Sequence, residues 1–305
     1  MTPASLAPAP FGRVLTAMVT PFTPEGELDL DAAARVAEHL AATGHDGIVV
    51  SGTTGESPTT STEEDGRILR AVLEAVGDRV KVVAGVGTNN TAHSVELSQQ
   101  AEKAGAHGTL LVTPYYSKPS QDGLAAHFET VADATGLPVM LYDIPGRTGV
   151  QISEATYARV AGHGRIVAVK DAGGDLYRGV RIMQETGLAF YSGDDVLNLG
   201  WLTHGACGVV SVVGHVAGNE YAAMVAAVDK GNLAEALDIY RRLVPVVEAI
   251  MNKAPGVMMA KAALELLGVL PNRAVRLPLV PASDELVSGL RVALVDAGLL
   301  EEPTA

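Results

Sequence analysis

Basic residues are scarce in this chain: 22 Lys and Arg stand against 35 Asp and Glu, a formal charge of −13 at pH 7. A nucleic-acid partner or an anionic membrane surface calls for a basic face, so both are excluded as partners. Cysteine is scarcer still. Cys207 is the only one, which rules out a disulfide framework, a four-cysteine zinc site and an iron–sulfur cluster. Its neighbours, Gly205-Ala206-Cys207-Gly208-Val209, are small and apolar, which suits a core residue better than a nucleophile. No apolar run reaches about 18 residues without glycine, histidine or charge, so no membrane-spanning helix is expected. Residues 1–10, rich in Ala and Pro, lack the basic start and apolar stretch of a secretory signal. They are expected to form a disordered lead-in to a cytoplasmic protein.

What the chain has is apolar residues, 48% of its length, arranged in a repeating pattern. Short β-branched runs occur at residues 14–22, 47–51, 81–87, 109–114, 138–145, 166–171, 188–193 and 208–214. Helical periodicity follows them, as in residues 31–42 and 91–104. Near-continuous Val, Ile and Leu belong in a parallel sheet covered by helices on its outer face. Eight such β-α units predict an α/β fold closed into a (β/α)8 TIM barrel over residues 11–230. An open dinucleotide-binding sheet would need Gly-x-Gly-x-x-Gly after its first strand, and Gly85-Val86-Gly87-Thr88-Asn89-Asn90 lacks the third glycine. Residues 231–305 predict a C-terminal helical appendage, with helices over 234–250, 255–267 and 284–297 and prolines 271, 278 and 281 breaking the pattern between the last two.

Barrel enzymes carry their chemistry at the C-terminal ends of the strands. The unusual residues of this chain fall there: Gly52-Thr53-Thr54-Gly55-Glu56, Thr113-Pro114-Tyr115-Tyr116, Tyr142 with Gly146-Arg147-Thr148-Gly149, and Val169-Lys170-Asp171. Alternation along Ile166-Val167-Ala168-Val169-Lys170 puts Ile166, Ala168 and Lys170 on one face, expected to point inward. A lysine at its ordinary pKa of ~10.4 is neutral in about four molecules in ten thousand at pH 7. Desolvation lowers that pKa and frees an amine able to attack a ketone and form an imine, an electron sink for carbon–carbon bond chemistry. Taken alone, Lys170 fits a structural lysine paired with Asp171 or with a helix terminus better than a nucleophile. Tyr142, Thr53 and Tyr116 supply hydroxyls for moving protons, Thr53-Thr54 offers backbone N–H groups to a small carboxylate, and Arg147 offers a planar fork to a second one.

Taken in order, and with Ser192-Gly193-Asp194-Asp195, these motifs resemble the dihydrodipicolinate synthase / N-acetylneuraminate lyase family from about Arg13 to the C-terminus. The resemblance implies that Lys170 forms an imine with pyruvate. Tyr142 would be the proton donor and acceptor, in a relay with Thr53 and with Tyr116 of a neighbouring subunit. Thr54, Val210 and Gly193 are the implied pyruvate-site positions, and Arg147 takes the carboxylate of aspartate 4-semialdehyde. It also implies 4-hydroxy-tetrahydrodipicolinate as product, a homotetramer whose dimer is the minimum active unit, and neither cofactor nor metal. Asp194-Asp195 without histidine support reads as a loop and helix cap. Where lysine-inhibited members carry a glutamate and two histidines, this chain has His93, Thr62 and Asp65, while Ser57, Asn89 and Tyr115 are retained. Weak or absent feedback by lysine is the expectation. Sister aldolases, which cleave N-acetylneuraminate or 2-keto-3-deoxy and 4-hydroxy-2-oxo acids, share the lysine and the tyrosine; Arg147 and Thr53-Thr54 favour the condensing reaction. A non-catalytic pyruvate-binding barrel would be expected to have lost these groups.

Overall fold

The protein, analysed as a computed structural model, is described over residues 8–302. Each of the eight apolar runs contains a strand: β1 (Val14–Ala17), β2 (Gly47–Val50), β3 (Lys81–Gly85), β4 (Gly108–Val112), β5 (Val139–Asp143), β6 (Ile166–Asp171), β7 (Ala189–Ser192) and β8 (Gly208–Ser211). They pair in parallel in chain order, and β1 closes on β8 through Val14↔Val209 and Leu15↔Val210. The strands are apolar on both faces because both faces are covered. Leu15, Val49, Val83, Met140, Ala168 and Val210 fill the interior, while Ile48, Val82, Leu141, Val169 and Phe190 pack outward against the helices.

The floor of the barrel is stoppered. Phe11 is fully buried in the interior cluster, and its backbone N–H donates to the Tyr191 hydroxyl at 3.2 Å. A Cβ on Gly108 would lie 2.3 Å from the Phe11 ring, so β4 starts with the one residue that leaves room for the stopper. Cys207 belongs to the same cluster, and burial pushes its thiol up to about 12, as suits a packing residue. Of the expected lead-in, residues 1–7 lie outside the described residues. Ala9 and Pro10 are held rather than loose: Ala9 packs against the interior cluster and accepts from the Gly12 N–H at 3.0 Å, and Pro10 bridges to Gly12.

β6 departs from simple alternation. Val139 pairs with Ile166 but Met140 pairs with Ala168, so the register shifts across Val167. Ile166 therefore packs into the outer layer, whereas Ala168 faces the interior. The expectation that Ile166 shares the inward face with Lys170 is corrected by this irregularity, since one extra residue reverses the side-chain alternation. From Ala168 onward the alternation holds: Val169 packs outward, and Lys170 pairs with Tyr142 on one side and Tyr191 on the other.

The C-terminal helices are Leu233–Val247, Gly256–Leu266 and Asp284–Asp296. Pro245 lies inside the first, and the following turn, Glu248–Asn252, widens to a π-helix. A proline has no N–H to give to the helical ladder, which accounts for the irregular end. Ile250, Met259, Ala263 and Leu294 share one apolar cluster with Val213 and with Tyr221 and Met224 of helix Gly214–Asp229, so the appendage is packed onto the eighth unit.

Candidate active site

The barrel mouth is built from turns that follow β2, β4, β5, β6 and β7. Lys170, 5% exposed, ends the inward face of β6, and its Nζ lies 4.1 Å from the centroid of the Tyr142 ring on β5. The strand pairing Tyr142↔Lys170 enforces that contact, because inward residues in register on adjacent strands stand side by side. Gly193 closes the other flank. A Cβ there would lie 2.8 Å from Lys170 Cγ and 2.9 Å from the Asp171 carbonyl oxygen, so only glycine lets the β7 turn cross the lysine stem.

Burial sets the charges. It lowers the Lys170 pKa to about 8; Asp195 and Asp194 pull it back up and Arg147 pushes it down. Burial also raises the Tyr142 phenol well above its ordinary value, so the hydroxyl is protonated at neutral pH and available as a donor. Asp195, an anion felt by the lysine, is 2% exposed and fully occupied by hydrogen bonds. It accepts from the backbone of Val212 (2.8 Å) and Val213 (3.2 Å), from Asn198 (3.0 Å), from Tyr221 (2.9 Å) and from Ser211. Its neighbour Asp194 accepts from the Val196 N–H at 3.2 Å, a cap on the short turn that follows.

Beside the Lys170–Tyr142 pair a cavity of about 340 Å³ is lined by Thr53, Tyr115, Tyr116, Tyr142 and Arg147, among others; Tyr142 reaches it and Lys170 does not line it. A second cavity of about 280 Å³ adjoins it between the mouth and the C-terminal helices, lined by Thr54, Val212, Met251, Val257 and Leu279. Thr53, Pro58 and Arg147 line both, which makes one continuous cleft. Val210 is buried in the barrel interior on β8, one residue past the Ser192↔Val209 pair and so beside Gly193. Tyr116 is 90% exposed and adopts a left-handed backbone, φ +73°. The structure thus brings Thr53, Thr54, Tyr142 and Arg147 to one cleft, sets Lys170, Gly193 and Val210 at the strand ends beside it, and leaves Tyr116 on its rim.

Three buried groups went unread in the sequence. Asp195, expected as a loop and helix cap, is instead the buried acceptor for Asn198, Ser211 and Tyr221, polar residues in otherwise apolar stretches. Asp143 and Asp171 face outward behind Tyr142 and Lys170, and a pair of in-register Tyr-Asp and Lys-Asp strand ends was a readable sign of it. Burial, then the Asp171 carboxylate, raise Asp143 to about 7. Lys261 lies mid-helix among buried Met259, Ala260, Ala262 and Ala263, and a lone cation in such a run was a signal of an internal partner.

A closed parallel barrel whose C-terminal mouth holds a buried lysine of depressed pKa against a tyrosine has the build of a barrel enzyme. Comparison with known proteins narrows the class. The profile of the dihydrodipicolinate synthetase family matches residues 10–297. The chain is 64% identical to a 4-hydroxy-tetrahydrodipicolinate synthase of Kineococcus radiotolerans over 96% of each chain. It is 60% identical to the same-named protein of Acidothermus cellulolyticus, over 97% of this chain and 96% of that one. Among solved structures, that of a lysine-bound dihydrodipicolinate synthase from Cyanidioschyzon merolae superposes with a TM-score of 0.92 at 44% identity, covering 95% of this chain and 99% of the other. The chain belongs to the dihydrodipicolinate synthetase family.

Proposed function

We propose that this chain is a lyase-class enzyme that condenses pyruvate with L-aspartate 4-semialdehyde to 4-hydroxy-tetrahydrodipicolinate, on the way to diaminopimelate and lysine. The observation that carries the reading is Lys170: a buried amine, its pKa lowered to about 8, set over Tyr142, which together with Arg147 lines the cleft. The neutral amine adds to the ketone carbon of pyruvate, and loss of water gives the imine. Removal of a methyl proton gives the enamine, whose carbon attacks the aldehyde. The amino group of the acceptor then closes on the imine carbon and displaces Lys170 as the free amine.

Tyr142 is the proton donor and acceptor for these steps, with Thr53 and Tyr116 linking it to solvent. Thr54, Gly193 and Val210 hold pyruvate, and Arg147 binds the acceptor carboxylate. The reaction needs neither metal nor cofactor, because the imine is itself the electron sink. Tyr116 completes the relay of a neighbouring subunit, which makes a dimer the minimum active unit. Its exposed ring and left-handed backbone support that role. Leu237 and Val244, two turns apart on one helix, are exposed with Val196 of the turn that helix packs against, and offer a second apolar contact for a homotetramer. No helix among the described residues is long and apolar enough to cross a membrane, and the reaction fits the cytoplasm.

The test is mass spectrometry after pyruvate and borohydride, paired with a coupled assay on aspartate 4-semialdehyde. A reduced adduct on Lys170, with turnover that collapses in Arg147→Ala, is expected. An adduct without semialdehyde turnover moves the substrate to the sister aldolases. No adduct removes Lys170 from the chemistry.

A further inference from the structure

Two residues beyond Thr54, Glu56 adopts a left-handed backbone, φ +58°, that side chains rarely take. Its side chain is 1% exposed and pairs with the C-terminal appendage on the wall of the second cavity, which Glu56 helps to line. One carboxylate oxygen accepts from the Lys261 ammonium, itself 1% exposed, and the other accepts from the backbone N–H of Arg276 at 2.9 Å. Lys261 also donates to the Ala274 carbonyl at 2.7 Å and lies 4.4 Å from the Phe22 ring centroid. The Arg276 guanidinium donates to the carbonyls of Gly26 and Thr59 and to both oxygens of Glu64. The loop after helix Gly256–Leu266 thus grips the segment from Glu56 to Glu64 at both ends, directly behind the turn that carries Thr53 and Thr54.

A buried ion pair contributes little stability over an apolar pair of equal size, since desolvation cancels most of the attraction. Its contribution is directional. Both oxygens of Glu56 are satisfied only when the Gly52–Ser57 turn holds one shape, the shape in which the Glu56 N–H bonds to the Thr53 carbonyl at 3.1 Å and the Ser57 N–H to the Gly52 carbonyl at 3.3 Å.

We propose that Lys261 is a positioning residue for the reaction: through Glu56 it fixes the Thr53–Thr54 turn against the imine site, which makes the C-terminal appendage part of the catalytic apparatus. This rests on the roles proposed above for Thr53 and Thr54. Lys261→Met alone strands a buried carboxylate and damages the fold. The informative variant is therefore Glu56→Gln with Lys261→Met, which removes both charges and keeps an acceptor for the Arg276 N–H.

The purified full-length variant and the parent are compared by thermal melting, by borohydride trapping with pyruvate, and by kcat and KM for each substrate. The expected result is a cooperative melt close to the parent's, an imine that still forms on Lys170, and a kcat lowered about a hundredfold. KM for the semialdehyde, set at Arg147, should move less than about threefold. A parent that forms no imine refutes the functional reading. A parent that forms it, beside a double variant with parental kcat, refutes the positioning role alone. So does a kcat lost only in step with the loss of cooperative melting, which marks the pair as purely structural.

Discussion

The depressed pKa of Lys170 makes a quantitative statement about the rate of imine formation. At about 8 the amine is neutral in about one molecule in ten at pH 7, against about four in ten thousand for a solvated lysine. Burial thus raises the reactive population about two-hundredfold, equivalent to about 3 kcal/mol. The rate of adduct formation, followed by rapid mixing with pyruvate and trapping with cyanoborohydride, is expected to rise about tenfold from pH 6 to 7 and about fivefold from 7 to 8, and to level off above 9. Asp195→Asn sharpens the test. The Asp195 anion supports the charged lysine, so its removal should shift the rising limb to lower pH. Arg147→Leu should shift it the other way, because the Arg147 cation opposes the charged lysine. A rate that still climbs tenfold per pH unit at pH 10, or a limb that moves up in Asp195→Asn, would refute the account of an amine activated by burial.

Three further outcomes follow from the geometry. Asp143 has a folded pKa raised to about 7, so its contribution to stability is complete below the unfolded value and is lost as pH rises through 7. Asp143→Asn should remove that loss and melt ~5 °C higher than the parent at pH 8, with no gain at pH 4, as calorimetry would show. Gly193→Ala forces a methyl group against Lys170 Cγ and the Asp171 carbonyl, and should lower kcat by at least about tenfold while costing ~2 kcal/mol in denaturant melts. Lysine should not half-inhibit at sub-millimolar concentration: Asp65 accepts from Thr60 Oγ1 at 2.8 Å, burial raises its pKa, and His93 is paired with Glu96 at 3.2 Å, so neither stands free for an ammonium group. Sub-millimolar inhibition in initial-rate assays would overturn this.

Much of this fold was open to reading because parallel strands buried on both faces are written as uninterrupted Val, Ile and Leu, and the intervening helices carry a different period. Helix Thr91–Ala104 was legible to the residue, since Asn90 caps it and Gly105 ends it with a left-handed backbone. The same two-sided burial hides which face is which. Nothing in Ile166-Val167-Ala168 announces the register shift that sends Ile166 outward. The mouth residues were legible because strand ends are the one place where a barrel of apolar strands has reason to show Lys, Tyr, Thr and Arg. Glu56 and Lys261 are 205 positions apart, and no local pattern joins them. Asp195 was legible as an acid but not as the hub of five donors, since three of those lie on or just after β8 and a fourth on the following helix.

The stopper at the floor of the barrel has a consequence for traffic. With Phe11 closing one end, everything that reaches Lys170, and everything that leaves it, uses the same door. Pyruvate must pass the threshold before the aldehyde arrives, because the buried amine lies deeper than the exposed Arg147. The water released in forming the imine travels outward against the incoming acceptor. The finished ring, released from Lys170, leaves by the same door after the water, and until it has gone no second ketone can enter. The order of events is therefore that of a blind alley, ketone in and water out before aldehyde in and ring out, and an excess of the aldehyde would jam the entrance to an empty site.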